Sequence, residues 1–139
     1  MAGFPTPEAA AASSFPAAHR RIVAICSDGD DAYVLLNTGS EEHPTLYGIA
    51  CRFRNGEWHE GPGGNGGGWT LTDEESGLGL WALWDDAPAD AELVRVKFGD
   101  DMSEHSIVGR AYLVVLFKQP STIDANVLGF RIRGSWNAQ

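Results

Sequence analysis

Along most of the chain apolar and polar residues alternate with a period of two, the pattern of half-buried strands. The cleanest case is Glu92 to Phe98, where Val94, Val96 and Phe98 share one face and Arg95 and Lys97 the other. Runs of similar character cover Ile22 to Cys26, Ala32 to Leu36, Leu46 to Arg54, Glu57 to Glu60, Trp69 to Thr72, Met102 to Val108 and Val127 to Arg133. Leu78 to Trp84 and Ala111 to Phe117 are apolar at both alternating positions. The first is therefore expected as a central strand and the second as a strand buried on both faces. Turn residues separate these runs: Asp28-Gly29-Asp30-Asp31, Asn55-Gly56 and Gly99-Asp100-Asp101. Gly109-Arg110 has the Gly-X form of a type II′ hairpin.

A helix is expected only near the start. Thr6 can cap it, Pro7 suits its first position, and Glu8 complements its positive end. Ala9 to Ala12 are strong helix formers, and Pro16 closes the segment. With so few large apolar residues it should bury little beyond Phe15, as a cover for one sheet face or edge.

About ten short strands with frequent turns are the sequence mark of a sandwich or barrel. The expected class is mainly β: an antiparallel β-sandwich with one short N-terminal helix. Its second half, Leu78 to Arg133, reads as an immunoglobulin-like β-meander. Residues 1–20 form the N-terminal segment and 21–139 a single sandwich domain. The run Gly61-Pro62-Gly63-Gly64-Asn65-Gly66-Gly67-Gly68 marks a sub-layer boundary at 61–68. One domain is preferred because halves of about 70 residues are marginal as independent cores.

Composition narrows the functional classes. A chain of 139 residues, 43% hydrophobic and 21% charged, can bury a core without disulfides or metals. Its net charge of −9 favours solubility and opposes nucleic-acid binding, which needs positive charge against phosphates. RNA-binding sheets also interleave exposed aromatics with bases, whereas Phe53, Phe98 and Phe130 alternate to the face opposite the basic residues. Cys26 and Cys51 are expected as reduced thiols, a disulfide between neighbouring strands being the alternative. The start of the chain lacks the pattern of a signal peptide, and no apolar stretch reaches bilayer length. A cytoplasmic protein without a membrane partner is expected.

Charge placement is more informative than its sum. Acids cluster in turn-like segments, including Glu41-Glu42, Asp73-Glu74-Glu75 and Asp85-Asp86. Bases sit in strands as Arg52/Arg54, Arg95/Lys97 and Arg131/Arg133. The i, i+2 spacing puts each pair on one strand face. If those strands are neighbours, they form a cationic stripe suited to an acidic protein segment or an anionic small molecule. Cross-strand pairing with acids and protection of sheet edges is the competing reading.

The second candidate is Trp58-His59-Glu60 with the glycine run, Asn65 and Trp69. Glycines let a backbone approach a ligand and expose N–H groups to an anion. The run does not continue into Gly-Lys-Ser/Thr and a helix, so it is not a nucleotide P-loop. Simple strand packing of Trp58 and Trp69 around a connecting loop competes with this reading.

No metal or cofactor is expected. His19, His43, His59 and His105 lack paired spacing, and Asp28, Asp30 and Asp31 lack a twelve-residue calcium loop. No Gly-x-Ser-x-Gly elbow is present. Glu104-His105 and His59-Glu60 are adjacent in sequence and so point to opposite strand faces.

Ala50-Cys51, Asn55-Gly56, Trp58-His59-Glu60, Gly64-Asn65-Gly66 and Gly68-Trp69 together resemble a pattern in small, uncharacterised β-rich actinobacterial proteins of unknown function. The helical start at Thr6 to Ala10, the Gly29-Asp30 turn and the segment with Val94, Val96, Phe98, Glu104 and His105 fit the same likeness. It spans most of the chain and implies a β-rich fold without implying an activity.

The expected function is a non-catalytic module binding a protein or peptide partner. The alternative is a small-molecule or enzymatic pocket under Gly61 to Gly68, walled by Trp58 and Trp69 with His59 as acid/base. A homodimer is compatible with the sequence and would require a free strand edge or apolar face.

Overall fold

A computed structural model describes residues 3–16, 21–40, 42–65, 68–72, 78–107, 110–120 and 125–138. His19, Glu41, Gly66, Gly67, the acidic run 73–75 and Gly109 lie outside the described residues. The chain divides into two compact units, Met1–Gly66 and Gly67–Gln139, and the division falls inside the glycine run.

In the first unit, helix α1 (Pro7–Ala12) is capped as expected, the Thr6 hydroxyl accepting from the Ala9 N–H at 3.1 Å. Four antiparallel strands follow in the order β1 (Arg21–Asp28), β2 (Asp31–Asn37), β3 (Leu46–Arg54) and β4 (Glu57–Gly64). Two-residue turns set the β1–β2 and β3–β4 registers. Asn55 and Gly56 both take positive φ, 54° and 80°, the type I′ form that matches strand twist. The β1–β2 turn centres on Gly29-Asp30, with Gly29 at φ 60°. Glycine is therefore first in the pair, as in a II′ turn, where an Asp28-Gly29 turn would place it second.

The helix lies over β2, β3 and β4. Ala10 and Ala11, both 0% exposed, press against Ala32, Val34, Leu36, Ile49 and Cys51. Alanine carries little bulk, so the helix backbone can sit close to the sheet. The alanines thus form the buried contact, with Phe15 packed at the margin. Tyr33 and Leu35 on the opposite face of β2 are also 0% exposed. Tyr33 lies over Gly48, where a Cβ would stand 2.7 Å from its ring. Between β2 and β3, buried Asn37 organises the loop. Its Oδ1 accepts from the N–H groups of Gly39 and Thr45, each at 2.9 Å, and its amide donates to the Ser40 carbonyl at 3.1 Å.

The second unit contains β5 (Gly68–Thr72), β6 (Leu78–Asp86), β7 (Ala91–Phe98), β8 (Asp101–Ser106), β9 (Ala111–Pro120), β10 (Ala125–Ile132) and β11 (Ser135–Ala138). They form two antiparallel sheets, β11-β10-β7-β8 and β5-β6-β9. Val94 and Val96 of β7 and Phe130 of β10 pack against Tyr112 and Val114 of β9. Rings bridge the layers, Tyr112 to Phe130 at 5.8 Å and Trp81 to Phe98 at 6.3 Å between centroids. This is sheet-on-sheet packing, and the described chain is mainly β.

Two connections differ from expectation. Among the described residues β9 pairs with β6 (Trp81↔Leu116, Leu83↔Val114), where a Gly109-Arg110 hairpin would pair it with β8; Gly109 itself lies outside those residues. Two strands apolar on both faces pair with each other, while polar β8 stays beside β7. The second half is therefore not a simple meander. The chain also continues past β10 through Arg133-Gly134, at φ 52° and 79°, into β11.

Candidate functional site

The β3–β4 pairing places the residues of the Trp58-His59-Glu60 motif. Cys51 faces Glu60, Arg52 faces His59, Phe53 faces Trp58 and Arg54 faces Glu57. Directly opposed residues share a face. Trp58 and Glu60 therefore lie on the helix side, and His59 lies on the other with Arg52, Arg54 and Glu57. Trp58 is held by an exchange of backbone hydrogen bonds with Phe4, at 2.8 and 2.7 Å, and its ring is 5.4 Å from that of Phe53. The Ser14 hydroxyl donates to Glu60 Oε1 at 2.6 Å. His59 Nε2 is 3.9 Å from Glu57 Oε2. The pleat thus separates His59 from its sequence neighbours.

Most of the expected glycine loop is strand, with 61–64 in β4 and Gly68 in β5. Gly61, Gly63 and Gly64 belong to β4, and a Cβ on Gly63 would stand 2.8 Å from both the Gly48 carbonyl oxygen and Tyr47 Cε1. Close approach of the backbone to β3, rather than to a ligand, explains glycine at that position. Asn65 follows β4 and is exposed. Trp69 lies on β5 in the second unit, and its side chain lies outside the described residues.

One arginine of each basic pair meets an acid within hydrogen-bond range. Arg52 Nε is 3.1 Å from Asp31 Oδ1, Arg95 Nη2 is 2.8 Å from Glu104 Oε2, and Arg133 Nη2 is 3.2 Å from Asp90 Oδ2. Arg131 Nε is 3.9 Å from Glu92 Oε2, too long for a hydrogen bond although this N–H is shielded from water. Arg52 and Arg54 lie in the first unit, while Arg95 and Lys97 on β7 and Arg131 on the neighbouring β10 lie in the second, with Arg133 in the turn that follows β10.

The outer face of the β8-β7-β10-β11 sheet carries the most organised constellation. Arg95 pairs directly with Glu104 on β8. Its guanidinium carbon is also 3.8 Å from the ring centroid of Trp136 on β11. Beside it, exposed Lys97 stands opposite Met102, whose surface is 66% exposed.

A further pair escaped sequence reasoning: Ser103 Oγ and His105 Nε2 are 2.7 Å apart. Their cross-strand partners are Val96 and Val94, so they face the sandwich interior. The i, i+2 spacing on a strand was the available signal. Burial holds the His105 pKa below its usual value, leaving a neutral imidazole at pH 7. Burial, then Glu60 and Glu8, push the Cys51 thiol up to about 12. Tyr112 is likewise raised to about 12 by burial and then by Asp85. Neither is ionised at neutral pH. Cys26 and Cys51 are free thiols on β1 and β3, with β2 between them and their side chains on opposite faces.

Among the described residues no three His, Cys, Asp or Glu side chains converge as a metal-ligand group. No described helix is long and apolar enough to cross a membrane. No family model, curated protein or solved structure matches the chain.

Proposed function

We propose that this chain is a non-catalytic interaction module that binds a protein or peptide segment on the outer face of the β8-β7-β10-β11 sheet. The observation that carries the reading is Arg95, held between the Glu104 carboxylate and the Trp136 ring beside largely exposed Met102. Trp, Arg and Met are enriched at interfaces, and an arginine already held in place loses less side-chain entropy on binding. The partner suited to this face carries an apolar side chain for Met102 and a carboxylate for the Arg95–Lys97 side of β7. A reducing, cytoplasmic setting accords with two free thiols on separate strands.

The test is a selection of peptides from a displayed library, followed by amide shift mapping on the labelled protein. Selected peptides should perturb Arg95, Lys97, Met102 and Trp136. Met102→Glu should weaken them at least about tenfold, a loss of about 1.4 kcal/mol, without moving the melting temperature. Shifts confined to other surfaces, or unchanged affinity in the variant, would overturn the reading.

A further inference from the structure

We propose that Met102 is a peroxide-sensitive modification site, and that oxidation of its thioether to the sulfoxide switches off the outer face of the β8-β7-β10-β11 sheet. The inference rests on the reading of that face as a peptide-binding surface, and it names how the surface is regulated.

The chain has two methionines, Met1 and Met102. Met102 lies on β8 with 66% of its surface exposed, so an oxidant reaches its sulfur without any opening of the fold. Among the other sulfurs, Cys51 is buried and Cys26 is half-buried. Exposure also separates a switch from damage. A methionine in a core loses its packing when it becomes polar, whereas Met102 projects from the surface and the sandwich interior does not depend on it.

The oxidant is hydrogen peroxide, and the step needs no further reactant. A sulfur lone pair attacks one peroxide oxygen, a sulfur–oxygen bond forms and the oxygen–oxygen bond breaks. The departing hydroxide takes the proton carried by the transferred oxygen and leaves as water. Sulfur is oxidised by two electrons and the peroxide is reduced by the same two.

Strand register supplies the consequence. Met102 stands directly opposite Lys97 of β7. Opposed residues in an antiparallel pair have Cβ atoms about 4.5–5.5 Å apart, within reach of two long, flexible side chains. Lys97 is exposed, and among the described residues no acid forms an ion pair with it, whereas Glu104 holds Arg95. A sulfoxide oxygen is a polar acceptor, and the lysine ammonium carries three donors. The oxidised side chain therefore turns toward Lys97. A single added oxygen removes the apolar side chain and engages the neighbouring cation, the two features that the face offers to an apolar and acidic partner segment.

The test uses the full chain and peptides selected from a displayed library. The protein is treated with dilute hydrogen peroxide and then with dithiothreitol, which returns reversibly oxidised cysteines to thiols. Mass spectrometry should find one added oxygen on the fragment containing Met102. The peptides should then bind at least about tenfold more weakly, with the melting temperature unchanged and the Lys97 side-chain resonances shifted. Methionine sulfoxide reductases should restore the original affinity. Met102→Leu, whatever affinity it starts from, should show the same value before and after peroxide. Undiminished binding by the sulfoxide form, an equal loss in Met102→Leu, or a loss that the reductases do not reverse would overturn the inference. The two readings fail differently. If Met102→Glu weakens the peptides and the sulfoxide does not, only the switch falls; if Met102→Glu changes nothing, the binding face falls and the switch with it.

Discussion

Arg95 reaches across a neighbouring strand to Trp136: its direct partner on β10 is Gly129, and the guanidinium stands 3.8 Å from the indole centroid on β11. Gly129 carries no side chain to obstruct that crossing, and Glu104 holds the cation from the β8 side at 2.8 Å. A glycine in an interior strand thus makes room for a contact between residues two strands apart.

A double-mutant cycle isolates this contact. Arg95→Met and Trp136→Leu should each destabilise the protein, and their coupling in urea unfolding should be about 0.5–1 kcal/mol, the range for a partly exposed cation–π pair. Additive losses would show that the stacking contributes nothing to stability.

Adjacent glycines in β4 should behave differently. A Cβ at Gly63 would stand 2.8 Å from a β3 carbonyl oxygen, whereas at Gly64 nothing lies within 4 Å. Gly63→Ala should cost about 1–3 kcal/mol through forced backbone movement. Gly64→Ala should stay within about 0.5 kcal/mol of wild type. Thermal melts of the two variants decide between a packed strand and an open loop.

His105 should make stability depend on mild acidification. Its folded pKa lies below the usual value of 6.5 because burial disfavours the imidazolium. As pH falls through 6.5, the unfolded chain takes up the proton while the folded chain resists it. Stability should therefore decline with falling pH until the lower folded pKa is passed. His105→Gln should flatten the slope between neutral pH and pH 5 in denaturant titrations, apart from the contribution of the carboxylates.

The two cysteines should react at separable rates. Cys51 is 3% exposed with its thiol pKa raised to about 12, whereas Cys26 is half-buried on the edge strand. Alkylation of the native protein at pH 8, followed by peptide mapping, should label Cys26 well before Cys51, because the thiolate is the reactive form. The raised Cys51 value also implies stability lost as pH climbs above 9.0, where an unfolded thiol ionises and the folded one does not.

Local rules carried far in this chain. Thr6-Pro7-Glu8 and the following alanines suffice for the helix, since cap, first position and interior each have the residue they need. Asn55-Gly56 sets the β3–β4 hairpin because both residues accept positive φ. Strict alternation fixes which side of β7 faces the core, and it also separates His59 from Trp58 and Glu60.

Contacts between distant segments could be settled only by the tertiary arrangement. Period-two patterning orients a strand's faces but does not name its neighbour, so the pairing of β9 with β6, in place of β8, was open. The same gap left open whether the basic pairs formed a stripe, until cross-strand register brought Glu104 to Arg95 and Asp31 to Arg52. Arg95 and Trp136, 41 positions apart, carry no mutual signal in the sequence, and they meet across Gly129, the residue opposite Arg95 on β10. The chain's side-chain rhythm therefore determined what each strand hides and exposes, and the order of strands in space decided which exposed groups act together.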